Sequence, residues 1–156
     1  MKTIPSYKLG TLLNRMERFR RNSEGPTARN NKSRHVCAIV RGSPAKARCI
    51  GMTINHTTPR GHFHAEEAME SVLRTCQGEN GRFSVVVARF LSNGALAQSD
   101  PCMDCATLLH EYSAVIHRVY YTTDDAAVVE YGSTEEILTN AVSKDYRTLS
   151  RKNGWS

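Results

Sequence analysis

Two short runs, far apart in the chain, constrain the fold most: His64-Ala65-Glu66 and Pro101-Cys102-Met103-Asp104-Cys105. Two cysteines three positions apart follow a proline, at the expected start of a helix. A histidine and a glutamate stand two apart at the expected start of another. Together they offer three metal-ligand side chains and one further carboxylate. Three protein ligands leave one coordination position open, which is what metal-assisted hydrolysis needs. A fold that uses them must bring positions 64 and 102 together across 102 − 64 = 38 positions of chain.

Cys-x-x-Cys alone also fits a redox pair or half of a structural zinc site. A redox pair would want a thioredoxin-like strand and helix order near the N-terminus, which this chain lacks. A structural site would want a second, tightly spaced ligand pair. The one close histidine pair is His62/His64, separated by a single residue. A His-x-His metalloprotease would want an aspartate further on, and position 74 is Arg.

At 156 residues and 40% apolar content, the chain fits one domain with a real core. We read 1–34 as an N-terminal helix and loop, 35–142 as the core and 143–156 as a polar C-terminal tail. A net charge of +6 favours anionic partners such as nucleotides or nucleic acid. Five cysteines, an odd count without a secretory leader, argue against a disulfide framework. Cys37, Cys49 and Cys76 fall in apolar patterns and read as small core residues. No segment has the apolar length of a membrane span. The expectation is a soluble, intracellular and cytoplasmic protein with no membrane partner.

In residues 8–22, Leu9, Leu12, Leu13, Met16 and Phe19 form one helical stripe, with Arg15, Arg18, Arg20 and Arg21 off it. Residues 23–34 read as a loop carrying Arg29, Lys32 and Arg34. HVCAIVR (35–41) and KARCIGMTI (46–54) read as paired strands around Gly42-Ser43-Pro44. Asn55 to Gly61 is a polar loop. A helix over 65–76 turns Ala65, Met69, Val72, Leu73 and Cys76 one way, and residues 77–81 stop it. RFSVVVARFL (82–91) is the most strand-like run, and Asn93-Gly94 a tight-turn signal. A helix from about Cys102 to Tyr112 follows. HRVYYT (117–122) and AVVEY (127–131) are strands. Ser133-Thr134-Glu135-Glu136 has the form of a capping box. The element order implies an α/β fold of three layers, with a mixed five-stranded sheet between helices.

The H-A-E and P-C-M-D-C runs resemble the signature of the zinc-dependent cytidine/deoxycytidylate deaminase superfamily. The resemblance covers roughly residues 35–131. It implies that His64, Cys102 and Cys105 bind zinc. Glu66 would move protons from the zinc-activated water to the ring nitrogen and then to departing ammonia. The implied reaction is deamination of cytosine to uracil in a nucleoside, nucleotide or single-stranded nucleic acid. Adenine-acting relatives, or a non-catalytic zinc-fold module that binds nucleic acid, are the alternatives. Asn55 resembles the family asparagine that holds sugar or base. The backbone of Ala65 and the carbonyls near Ser99 would meet the base edge. Tyr120 and Tyr121 alternate across a strand, and Tyr121 is the candidate for stacking on a base. Small domains of this kind often assemble, so a homo-oligomer is a further candidate partner. His62 reads as a loop residue, and Trp155 as an anchor of the tail.

One branch of the superfamily inserts a helix between the fourth and fifth strands. The other joins them as a hairpin. Here Thr123 to Ala126 alone separate the two runs. A parallel crossover needs about a dozen residues, so the last two strands should form an antiparallel hairpin.

Overall fold

The computed structural model describes residues 1–24, 34–46, 48–58, 61–79 and 82–152. Residues 25–33 of the expected loop, with Arg29 and Lys32, together with Pro59, the Asn80-Gly81 pair and Trp155 lie outside them, as do the side chains of His56 and His62; the ends of that loop instead belong to the helix that closes at Glu24 and the strand that opens at Arg34.

In chain order the elements are β1 (Lys2–Pro5), a 3-10 turn (Ser6–Leu9), α1 (Gly10–Glu24), β2 (Arg34–Arg41), β3 (Arg48–Ile54), β4 (His56–Thr58), β5 (Gly61–Phe63), α2 (Ala65–Ala68) and α3 (Glu70–Thr75). Then come β6 (Phe83–Phe90), β7 (Leu96–Ala97), α4 (Met103–Glu111), β8 (Ile116–Thr122), β9 (Val128–Gly132) and α5 (Thr134–Lys152). The main sheet has seven strands in the order β1-β9-β8-β6-β2-β3, with β7 also paired to β6. β6 and β8 run parallel, and the other pairings are antiparallel. β8 and β9 form the expected hairpin, with Tyr120 opposite Tyr131.

The sheet therefore has seven strands where the sequence suggested five. β1 adds to the outer edge of β9, and β7 pairs with the end of β6 that β8 leaves. The polar stretch after Asn55 also folds into a two-stranded ribbon of β4 and β5. The helix expected over 65–76 is divided at Met69 into α2 and α3. α5 carries on to Lys152, well into the expected tail.

Alternation along β6 divides the core. Phe83, Val85 and Val87 face one side, with Ala65, Met69, Leu73, Ala106, Leu109 and Ile137 from the later helices. Val86, Ala88 and Phe90 face the other, against Leu9, Leu12, Leu13 and Met16 of the N-terminal region. The result is the expected three layers. Cys37 and Cys76 are buried core residues, and Cys49 packs partly buried against the α1-side cluster. Arg20, expected at the solvated face of α1, is only 4% exposed and pairs with Glu17 at 2.7 Å. The predicted capping box forms: the Ser133 hydroxyl accepts the Glu136 N–H at 3.1 Å, and the Glu136 carboxylate accepts the Ser133 N–H at 3.3 Å. No helix among the described residues is long and apolar enough to cross a membrane.

Candidate metal and catalytic site

α2 and α4 lie on the same face of the sheet, and Ala65 and Ala106 share its core. His64 is the residue that caps α2, and Cys102 the one that caps α4. Both helices thus begin at the site. The start of α2 is held from two sides. The Thr53 hydroxyl of β3 donates to the Ala65 carbonyl at 2.5 Å, and the His64 N–H donates to the Glu67 carboxylate at 3.1 Å. At α4, the Ala106 N–H donates to the Cys102 carbonyl at 2.8 Å. Buried alanines at 65 and 106 let each helix start lie close on the sheet.

Three ligand-type atoms converge there. His64 Nδ1 lies 3.2 Å from Cys105 Sγ and 3.5 Å from Cys102 Sγ. The ligand atoms of the three residues all fall within 4.8 Å of one another. Cys105 is buried, while His64 and Cys102 are exposed, so the group opens to solvent on one side. Its electrostatics fit a cation. The Cys102 thiol is pushed down, first by its hydrogen bond with Cys105 and then, against burial, by His64. The Cys105 thiol is pushed up by the same hydrogen bond and by burial. Two sulfurs sharing a proton, faced by an imidazole nitrogen, form a donor set suited to a soft dication such as zinc, whose binding displaces protons from thiols.

Glu66 is 4% exposed on the first turn of α2. Burial raises its carboxyl above the ordinary value, against the lowering effect of its own backbone and the Cys105 thiol beside it. Cys37 lies beneath, near enough for the Glu66 charge to help raise a thiol already pushed up by burial.

The remaining candidates are placed as follows. Asn55 joins β2 to β3: its Oδ1 accepts the His35 N–H at 3.0 Å, and its own N–H donates to the His35 carbonyl at 3.1 Å. Ala65 is fully buried. Ser99 is 2% exposed, and its hydroxyl is committed to the fold. That hydroxyl donates to the Val87 carbonyl at 2.8 Å and accepts the Thr122 N–H at 2.9 Å, tying the segment before Pro101 to the ends of β6 and β8. Tyr121 departs from its expected place. Its ring is 1% exposed within the core and its hydroxyl bonds Glu130, so it has no free face for a base. Tyr120 is also buried, stacked on Tyr131 at 5.0 Å.

Sequence reasoning passed over His35. Its imidazole is lowered to about 4 by burial, with help from Arg89 and His64, so it lies within electrostatic reach of the site. The signal was present in β2: His35 falls on the same side of the alternation as Cys37 and Ile39, the face that carries the site.

The sequence matches no protein-family model and no curated protein. Solved structures give the fold. The chain is similar to cytidine deaminase from Mycobacterium leprae, with a TM-score of 0.50 and 22% identity over 83% of this chain and 95% of that one. It is also similar to cytidine deaminase from Burkholderia pseudomallei, with a TM-score of 0.55 and 14% identity over 81% of this chain and 94% of that one. The protein thus has the cytidine-deaminase-like fold.

Proposed function

We propose that the protein is a zinc-dependent hydrolase that deaminates cytosine to uracil in a nucleoside, nucleotide or single-stranded nucleic acid. The observation that carries this reading is the meeting of His64 Nδ1 with the sulfurs of Cys102 and Cys105 beside the buried carboxyl of Glu66. The resemblance of fold to cytidine deaminases supports it. His64, Cys102 and Cys105 are assigned as the zinc ligands. A zinc ion held by them would supply Lewis acidity, under which water would lose a proton near neutral pH.

Glu66 is assigned to accept that proton and deliver it, first to the ring nitrogen and then to the departing ammonia. Its raised affinity for a proton suits a group that must hold one between steps. Burying a carboxyl costs free energy, which a purely structural module has no reason to spend here. The Ala65 backbone, the Asn55 side-chain amide and the carbonyls near Ser99 are assigned to orient the base and sugar. The whole chain, 1–156, is read as one domain.

The test combines zinc quantification with uracil formation from cytidine, dCMP, single-stranded DNA and RNA. Glu66→Gln should keep its zinc and lose about 10²–10⁴-fold in turnover. Full activity in that variant rules out the proton-transfer role. The net charge of +6 supports a polyanionic substrate. In that case binding weakens steeply as salt rises.

A further inference from the structure

A second cleft, of about 490 Å³, lies at the opposite end of the sheet, where β2 ends and β6 and β8 begin. That volume falls within the range of about 300–1,000 Å³ usual for small-molecule sites. Three arginines, Arg41, Arg82 and Arg118, line it with His117. Its lining includes Ser84, a buried hydroxyl of β6, and Tyr120.

Local irregularities in the backbone shape this cleft. The β6–β8 register shifts after Phe83: Phe83 pairs with Ile116, but Ser84 pairs with Arg118, so His117 is an extra residue in β8. Such a bulge redirects side chains, and here His117 and Arg118 both line the cleft. Gly42 ends β2 with φ +83, a left-handed conformation, and its N–H donates to the Arg82 carbonyl at 3.1 Å. Two of the three arginines are pre-positioned. Arg118 lies over the Tyr131 ring, 5.2 Å from its centre. Arg41 lies over Phe83 at 5.4 Å and also pairs with Glu79 at 2.9 Å. A guanidinium lodged over a ring loses less freedom on binding an anion, and at Arg41 a phosphate would compete with the Glu79 carboxylate for the same N–H group.

We propose that this cleft binds a compact oligophosphate, the di- or triphosphate group of a nucleotide. Planar guanidinium groups recognise phosphate oxygens in pairs, and three around one cleft suit charge concentrated on a single small group. A phosphodiester strand spreads one charge per nucleotide and matches such a cluster less well.

Isothermal titration of the full-length protein tests this with inorganic triphosphate, GTP and a single-stranded oligothymidylate. Triphosphate and GTP, which carries no cytosine for the catalytic site, should each saturate one site. His117→Glu and Arg82→Gln, both at exposed positions, should weaken that site by about tenfold or more. Arg18→Gln, on the exposed side of α1, should leave it unchanged. The proposal fails if triphosphate binding does not saturate, if His117→Glu and Arg82→Gln bind it normally, or if those two substitutions weaken the oligothymidylate as much as they weaken triphosphate. Deaminase activity plays no part in the readout, so this failure is distinct from failure of the catalytic assignment.

Discussion

The two faces of the sheet are built from the same strands but used differently. On the α1 face, Leu12, Leu13 and Met16 cover Val36, Ala38 and Val86, and the contacts are apolar packing. The other face carries as much apolar packing, but two helices also begin there, at His64 and Cys102. A helix start leaves backbone N–H groups without helical partners and favours negative charge. Two such starts side by side bring an imidazole and two sulfurs together beside the buried carboxyl of Glu66. Both faces supply stability, and one of them also carries the candidate site.

The largest effect should come from removing a ligand. Cys102→Ala, at an exposed position, should abolish zinc binding and cut turnover by about 10³-fold or more, against enzymatic accelerations that begin near 10⁶-fold. Zinc analysis and the uracil assay check it. The next pair sharpens the comparison of faces. Leu109→Ala and Met16→Ala each empty a fully buried position and should each cost about 2–5 kcal/mol in urea unfolding. Leu109 lies one turn beyond Cys105 on α4, so its variant should also lose zinc more readily to a chelator. Met16→Ala should hold zinc as firmly as the parent. Equal zinc loss in both variants would erase the distinction.

A smaller effect concerns pH. Burial holds His35 neutral in the fold, at about 4 against an ordinary 6.5. Between those values the unfolded chain binds the proton and the folded chain does not. The stabilisation is therefore complete above about pH 6.5 and fades as pH falls toward 4, by about 3 kcal/mol. Urea midpoints measured across that range should show the decline, and His35→Leu should flatten it. The smallest effect is expected at Ser133→Ala. Losing the α5 cap should cost about 1 kcal/mol with zinc and activity unchanged.

Sequence reading succeeded where the pattern was strong. β6 is apolar enough to be recognised by composition, Asn93-Gly94 announced its turn, and Ser133 to Glu136 announced α5. The convergence of the site was legible because His64 and the cysteines begin helices that share a sheet face. The misses have physical causes. β1 has four residues, three of them exposed, and ends in proline, so no alternation marks it. β7 has two residues and owes its pairing to the turn before it. The ribbon of β4 and β5 has three residues in each strand, and all but His62 and Phe63 fall in the stretch that reads as a polar loop. Arg20 is buried because Glu17, one turn back, neutralises it. The burial of Tyr121 depends on Glu130 across the hairpin, a pairing that strand alternation alone does not reveal.

X-ray absorption at the zinc edge of the purified protein tests the central assignment most directly. Coordination by His64, Cys102 and Cys105 predicts two sulfurs at about 2.3 Å and a nitrogen at about 2.0 Å, with one further light atom completing the shell. A four-sulfur shell, or a folded and active protein without zinc, would contradict it.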